Sequence, residues 1–198
     1  MDTYEKSVTR STGVVIKVGG SLHHHAGLRD RLRELLHRQT GGCLLIPGGG
    51  VYADRVRALQ PLYGWTERDA HYRAIEGMSV AADMLAQLLG FELVDDWDAL
   101  QAALEHQAQV VVDVAVLPGL EKLPVGWHVT SDSIAAWVAI RMGLSRLILA
   151  KSVDCLSPSA RWEFEAQQGL VDAYFPCLAT SIPQVEWANL RRRPVAAL

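Results

Sequence analysis

Cysteine is scarce in this sequence: the three present, Cys43, Cys155 and Cys177, include no CxxC pair. An odd, scattered set argues against a disulfide framework and against a zinc site, and it fits a reducing compartment. No apolar run approaches the roughly 18 residues that a membrane-spanning helix needs. The opening residues, MDTYEKSVTRSTG, contain no apolar signal core. A cytoplasmic location without membrane contact is therefore expected. Basic excess is lacking too: the formal net charge is −3, which argues against a general nucleic-acid binder. The one basic run, Arg191-Arg192-Arg193, is too short for a nucleic-acid tail and reads as a solvated helix end. Internal repeats, low-complexity stretches and linkers are absent. The 198 residues are expected to form a single domain around one core, with residues 1–13 as a flexible lead.

What is present alternates between two kinds of apolar pattern. Val14–Val18, Cys43–Ile46, Phe91–Val94, Gln109–Val116 and Arg146–Ala150 are short, mostly apolar runs that read as strands covered on both faces. Leu28–Arg38, Val51–Leu59, Glu67–Leu89, Asp95–Glu105 and Thr130–Met142 show helical spacing. Thr66 is placed to cap the long helix, whose stripe is read as Ala74, Met78, Ala81, Leu85 and Leu88. Pro118–Gly126 reads as loop. After Asp154 the pattern weakens: Trp162–Gly169 is expected to be helical, Ala173–Phe175 a short strand and Ile182–Leu190 a last helix. The order predicts an α/β three-layer sandwich, a mainly parallel open sheet with helices on both faces.

Two glycine turns each follow an apolar strand and precede a helix: Gly19-Gly20-Ser21 and Gly48-Gly49-Gly50. Glycine permits φ > 0 and lets a ligand approach without a Cβ in its path. Successive amides in such turns make an anion nest, and the following helix adds its positive end. The P-loop signature GxxxxGK[ST] does not occur. Gly48-Gly49-Gly50-Val51-Tyr52-Ala53 satisfies a loose dinucleotide fingerprint. A dinucleotide site wants an acidic residue after the next strand, about 20 residues on; at that distance Glu67 and Asp69 open a long helix instead, and the next strand does not arrive until Phe91. In open sheets ligands bind at the carboxyl ends of the strands. Gly19, Gly20, Gly48–Gly50 and Lys151 would share that edge. Lys17 ends an apolar strand, where a lysine is rare unless paired.

Val15-Ile16-Lys17-Val18-Gly19-Gly20-Ser21-Leu22, Ile46-Pro47-Gly48-Gly49-Gly50 and Thr130-Ser131-Asp132-Ser133-Ile134-Ala135-Ala136 resemble, in order, three motifs of the amino acid kinase family. Gly49–Asp54, Asp69–Ile75 and Leu149–Asp154 look most like the branch that phosphorylates aminomethylfuran phosphate in methanofuran-type cofactor synthesis. The resemblance implies ATP and Mg²⁺ as cofactors and a small phosphate monoester as acceptor. It also implies a homo-oligomer such as a dimer.

Carried over residue by residue, the resemblance gives Lys17 and Lys151 the transferred and leaving phosphates, with Asp132 organising them. Gly19, Gly20, Ser21 and Asp154 fall on the donor side. Gly48, Gly49, Gly50, Thr130, Ser131, His71 and Arg55 fall on the acceptor side. The sequence departs from the family at Cys155, where a glycine is usual, and in the short segment Leu156–Ala160. That departure keeps a second reading open, a non-catalytic subunit that binds a phosphate ester or nucleotide. His23-His24-His25 makes a poor metal site, since adjacent loop histidines cannot all face one ion. The six tryptophans are expected in the core or at a subunit interface.

Overall fold

The computed structural model describes residues 13–157 and 162–192. Among the described residues six strands form one sheet: β1 (Gly13–Val18), β2 (Gly42–Pro47), β3 (Glu92–Val94), β4 (Gln109–Val112), β5 (Arg146–Lys151) and β6 (Gln184–Asn189). Their order is β3-β4-β2-β1-β5-β6, and every neighbouring pair is parallel. Seven α-helices among the described residues connect them: α1 (Leu28–Leu36), α2 (Gly50–Tyr63), α3 (Glu67–Leu89), α4 (Trp97–Glu105), α5 (Ser131–Arg141), α6 (Trp162–Gln167) and α7 (Phe175–Ala179).

The inner strands β1, β2 and β5 are largely apolar because both their faces are covered, whereas the edge strand β3, expected to be covered on both faces, leaves Glu92 and Leu93 exposed. Val14, Ile16 and Val18 of β1 pack with Leu28, Leu32 and Leu36 of α1. Val15 packs on the opposite side with Ile134 and Val138 of α5. α3 serves both cores: Ile75 and Met78 enter one, while Leu85 and Leu89 enter the other. Its start is capped by Thr66, as the sequence suggested, and the structure completes a reciprocal capping box with Asp69.

The structure differs from expectation in several places. Gly13, expected in a flexible lead, is the first residue of β1; residues 1–12 lie outside the described residues. The α3 stripe holds at Met78, Ala81 and Leu85, which are buried, while Ala74 is half-buried and Leu88 is exposed, with Leu89 buried beside it. β4 stops at Val112, and Val114–Val116 is a 3-10 turn whose start is capped by the Asp113 carboxylate. Tyr174 caps α7 where a short strand was expected. Ile182–Leu190 holds not a helix but the edge strand β6, paired with β5. Arg191 and Arg192 therefore follow a strand and not a helix; Arg193 lies outside the described residues.

β1 sits at the switch point of the sheet. The chain runs from β1 to β2 on one side and later returns to β5 on the other. The carboxyl ends of β1, β2 and β5 consequently open into one crevice, the position where open α/β sheets bind ligands.

Candidate active site

The two glycine turns are set side by side by backbone hydrogen bonds. The Gly19 amide donates to Ala150 O at 2.8 Å, and the Gly48 amide donates to Val18 O at 2.8 Å. These two amides are spent on the fold and are not available to a phosphate, which corrects the expectation for Gly19 and Gly48. The amides of Gly20 and Ser21 start a 3-10 turn, and those of Gly49 and Gly50 start α2. First-turn donors have no intrahelical acceptor, and no other backbone acceptor meets these four among the described residues. No side chain caps α2 either. Four free donors and the positive end of a 14-residue helix thus face one spot.

The turns meet backbone to backbone. A Cβ on Gly20 would lie 2.4 Å from the Gly50 nitrogen, and one on Gly48 would lie 2.9 Å from Ser131 Oγ. Gly50 has φ +51, a conformation that favours glycine. The cradle therefore tolerates only hydrogen at Gly20.

Behind the cradle, β1, β5 and α5 deliver three buried charges. Lys17 Nζ and Lys151 Nζ each lie 2.8 Å from Oδ1 of Asp132. Lys151 also donates to Oδ2 at 2.9 Å and to Leu170 O at 2.7 Å. Burial would raise the Asp132 carboxyl, but the two ammoniums override it and bring it down to about 2. Burial and the neighbouring Lys17 charge push Lys151 down to about 8, against the pull of Asp132. The cluster carries one net positive charge. Asp132 is thus held by lysines rather than serving as a helix cap.

A cavity of about 280 Å³ opens beside the cradle. Gly20, Ser21, Gly48, Gly49, Gly50, Thr130 and Ser131 line its polar end. Ala53, Ile75, Met78, Trp127 and Ile134 line its apolar part. Burial lowers the His71 pKa, and its Nδ1 lies 3.1 Å from Gly126 O. His71 thus ties the loop after β4 to α3 at the cavity wall. Arg55 is exposed on α2; the arginine that reaches the wall is Arg57, stacked 4.3 Å over the Trp127 ring and paired with Asp54. Trp127 also donates to Gln60 at 2.8 Å. Helical spacing would have favoured Arg57 over Arg55 once Gly50 and Ala53 were known to face the cavity.

On the other side of the triad, Ser21 Oγ meets Ser152 Oγ at 2.8 Å. Asp154 is paired with Asn189 and Arg192. Buried Glu165 accepts the amides of Leu156 and Ser157 and the Cys155 thiol. It anchors the short segment after Asp154; residues 158–161 lie outside the described residues. His23 is packed against Gly50, and its buried Nε2 meets no hydrogen-bond partner among the described residues. Among the described residues no three His, Cys, Asp or Glu side chains gather as a metal site.

The family model for the amino acid kinase family matches residues 12–157. The chain belongs to the amino acid kinase family. A curated relative, [5-(aminomethyl)furan-3-yl]methyl phosphate kinase of Methanocaldococcus jannaschii, is 24% identical over 142 residues, spanning 71% of this chain. The match takes in 66% of that relative's length, just under two thirds. UMP kinase from Ureaplasma parvum superposes with a TM-score of 0.66 at 14% identity, covering 92% of both chains. Carbamate kinase from Giardia lamblia, bound to AMP-PNP, superposes with a TM-score of 0.56 at 10% identity, over 91% of this chain and 93% of that one. These two likenesses show the shared fold. No helix among the described residues is long and apolar enough to cross a membrane.

Proposed function

We propose that this member of the amino acid kinase family transfers a phosphoryl group from ATP to a small phosphate monoester, giving a diphosphate. The supporting observation is the contact between two glycine turns, with Lys151 of a buried Lys-Asp-Lys cluster packed against Gly19 of the first turn. Phosphoryl transfer needs positioning and charge stabilisation more than covalent help. An acceptor phosphate is already anionic, so no strong general base is required.

The residues fit a nucleotide's phosphates: the turns carry amides without an internal acceptor and a glycine-only surface, and the Lys151 side chain packs against Gly19. Gly20 and Ser21 would hold donor phosphates. Gly49 and Gly50, with Thr130 and Ser131 on the cavity wall, would hold the acceptor phosphate. Lys17 would offset charge on the transferred group and Lys151 charge on the leaving phosphate. Asp132 keeps both ammoniums in place. ATP supplies the activated phosphoryl group. With no three-ligand set among the described residues, Mg²⁺ would take its ligands mainly from donor phosphates and water.

The acceptor we propose resembles aminomethylfuran phosphate, as in methanofuran-type cofactor synthesis. The curated relative's printed activity supports it, and the cavity of about 280 Å³ joins a phosphate cradle to an apolar wall. The test is incubation with ATP and Mg²⁺ and a panel of monophosphates: [5-(aminomethyl)furan-3-yl]methyl phosphate, UMP and isopentenyl phosphate. We expect ³¹P NMR to show a diphosphate from the furan ester, lost in Lys17→Ala. No turnover with any member would sink the reading.

A second reading, a non-catalytic phosphate-ester-binding subunit, is favoured by the short segment after Asp154 and by the ties of Asp154 to Asn189 and Arg192. Calorimetry separates them: heat with the furan ester but none with ATP would support the subunit. We further propose a homo-oligomer, supported by the exposed stripe Val80, Met84 and Leu88 on α3. A monomeric mass by sedimentation would refute it.

A further inference from the structure

Asp172 takes part in neither glycine turn nor the charge cluster, yet it is buried and bonded on all sides. Its Oδ2 accepts the Thr130 amide at 2.8 Å, the Thr130 hydroxyl at 2.9 Å and the Ser133 amide at 3.0 Å. Its Oδ1 accepts the Ser133 hydroxyl and the amides of Tyr174 and Phe175. The Thr130 side chain makes no cap bond of its own to α5. The cap therefore comes from a carboxylate about 40 residues further along the chain. Its charge also suits the positive helix end.

The same loop reaches the cluster from its other side. Leu170, two residues before Asp172, gives its carbonyl to Lys151 Nζ at 2.7 Å. Phe175, fully buried and set edge-on to Trp162, anchors the loop in the core. Asp132 sits between Thr130 and Ser133, the two residues that Asp172 grips.

We infer that Asp172 is a positioning residue: by fixing the start of α5 it aims the Asp132 carboxylate at Lys17 and Lys151. The inference rests on the kinase reading for its catalytic consequence only. A misplacement near 1 Å in such a site costs about a hundredfold in rate.

The experiment reads Lys151 directly, by ¹³C NMR titration of ¹³Cε-labelled lysine without substrate, alongside kcat and KM for the furan ester. In Asp172→Ala we expect the Lys151 midpoint to fall below its wild-type value, because Asp132 withdraws while burial and Lys17 remain. We expect kcat to fall about 10- to 100-fold with KM nearly unchanged. Asp172→Asn, which keeps acceptor capacity on one oxygen, should lie between Ala and wild type. Ser133→Ala, which removes one bond from the same carboxylate, should shift both quantities slightly in the same direction. It carries the test if Asp172→Ala does not fold. A folded variant with the wild-type Lys151 midpoint and kcat overturns the inference. If no ester is phosphorylated, the kinase reading fails while the titration still decides the positioning.

Discussion

The Lys17 ammonium lies 2.8 Å from Oδ1 of Asp132, with 5% and 6% of the two side chains exposed. Lys151 shares that carboxylate, so the two lysines repel across it. In Lys17→Met the repulsion ends while a similar volume remains. We expect the Lys151 midpoint to rise above about 8 and turnover to fall by about 10²–10³. The ¹³C lysine titration and initial rates check the two halves separately.

Raising pH should remove charge from the cluster in one direction only. Lys151 is held near 8, below its ordinary 10.5. Transfer should decline about tenfold per unit above 8 if this ammonium is needed, as a kcat profile from pH 6 to 9.5 would show. Stability runs the other way. Between about 8 and 10.5 the unfolded chain holds the extra proton, so this lysine's contribution favours the fold more as pH rises. Asp132, brought to about 2 from 3.8, contributes stability that is full above 3.8 and lost as pH falls through 2. Urea midpoints across both windows test these signs.

Gly20→Ala should separate the cradles. Its Cβ would meet Gly50 backbone atoms at 2.4 and 2.5 Å, and backbone cannot swing aside as a side chain can. We expect a cost of about 1–3 kcal/mol in stability and loss of phosphate-ester binding by calorimetry. Wild-type affinity in this variant would mean that the contact between the turns does not matter for binding.

Glu165→Ala should release the segment after Asp154. It leaves the Leu156 and Ser157 amides without their carboxylate acceptor, at about 1–3 kcal/mol if they stay buried. Burial and the Glu165 contact together raise the Cys155 thiol pKa, so its reactivity should increase. Mass mapping of iodoacetamide labelling, with exposed Cys177 as the reference, gives the readout. The KM for ATP should rise while KM for the ester stays level.

Much of this site was legible in the residues. Apolar runs ending in glycine turns gave β1 and β2, and Lys17, Asp132 and Lys151 stood out by type and place. Thr66 marked the start of α3 because an N-cap acts within its own turn. Arg55 and Arg57 were harder to separate, since which face of α2 meets the cavity depends on the packing of α2 against α3.

Sequence by itself determined most of the alternating elements, the parallel sheet and the two glycine turns, because each depends on local patterning, and the motifs on those turns carried the resemblance to the family. Tertiary structure decided the rest. Gln184–Asn189 became an edge strand because β5 supplies its hydrogen-bond partners. Gly19 and Gly48 lost their amides to Ala150 and Val18, and Asp172 took over the cap of α5. In these cases the deciding partner lies far along the chain or in the backbone, where neither spacing nor propensity carries a signal.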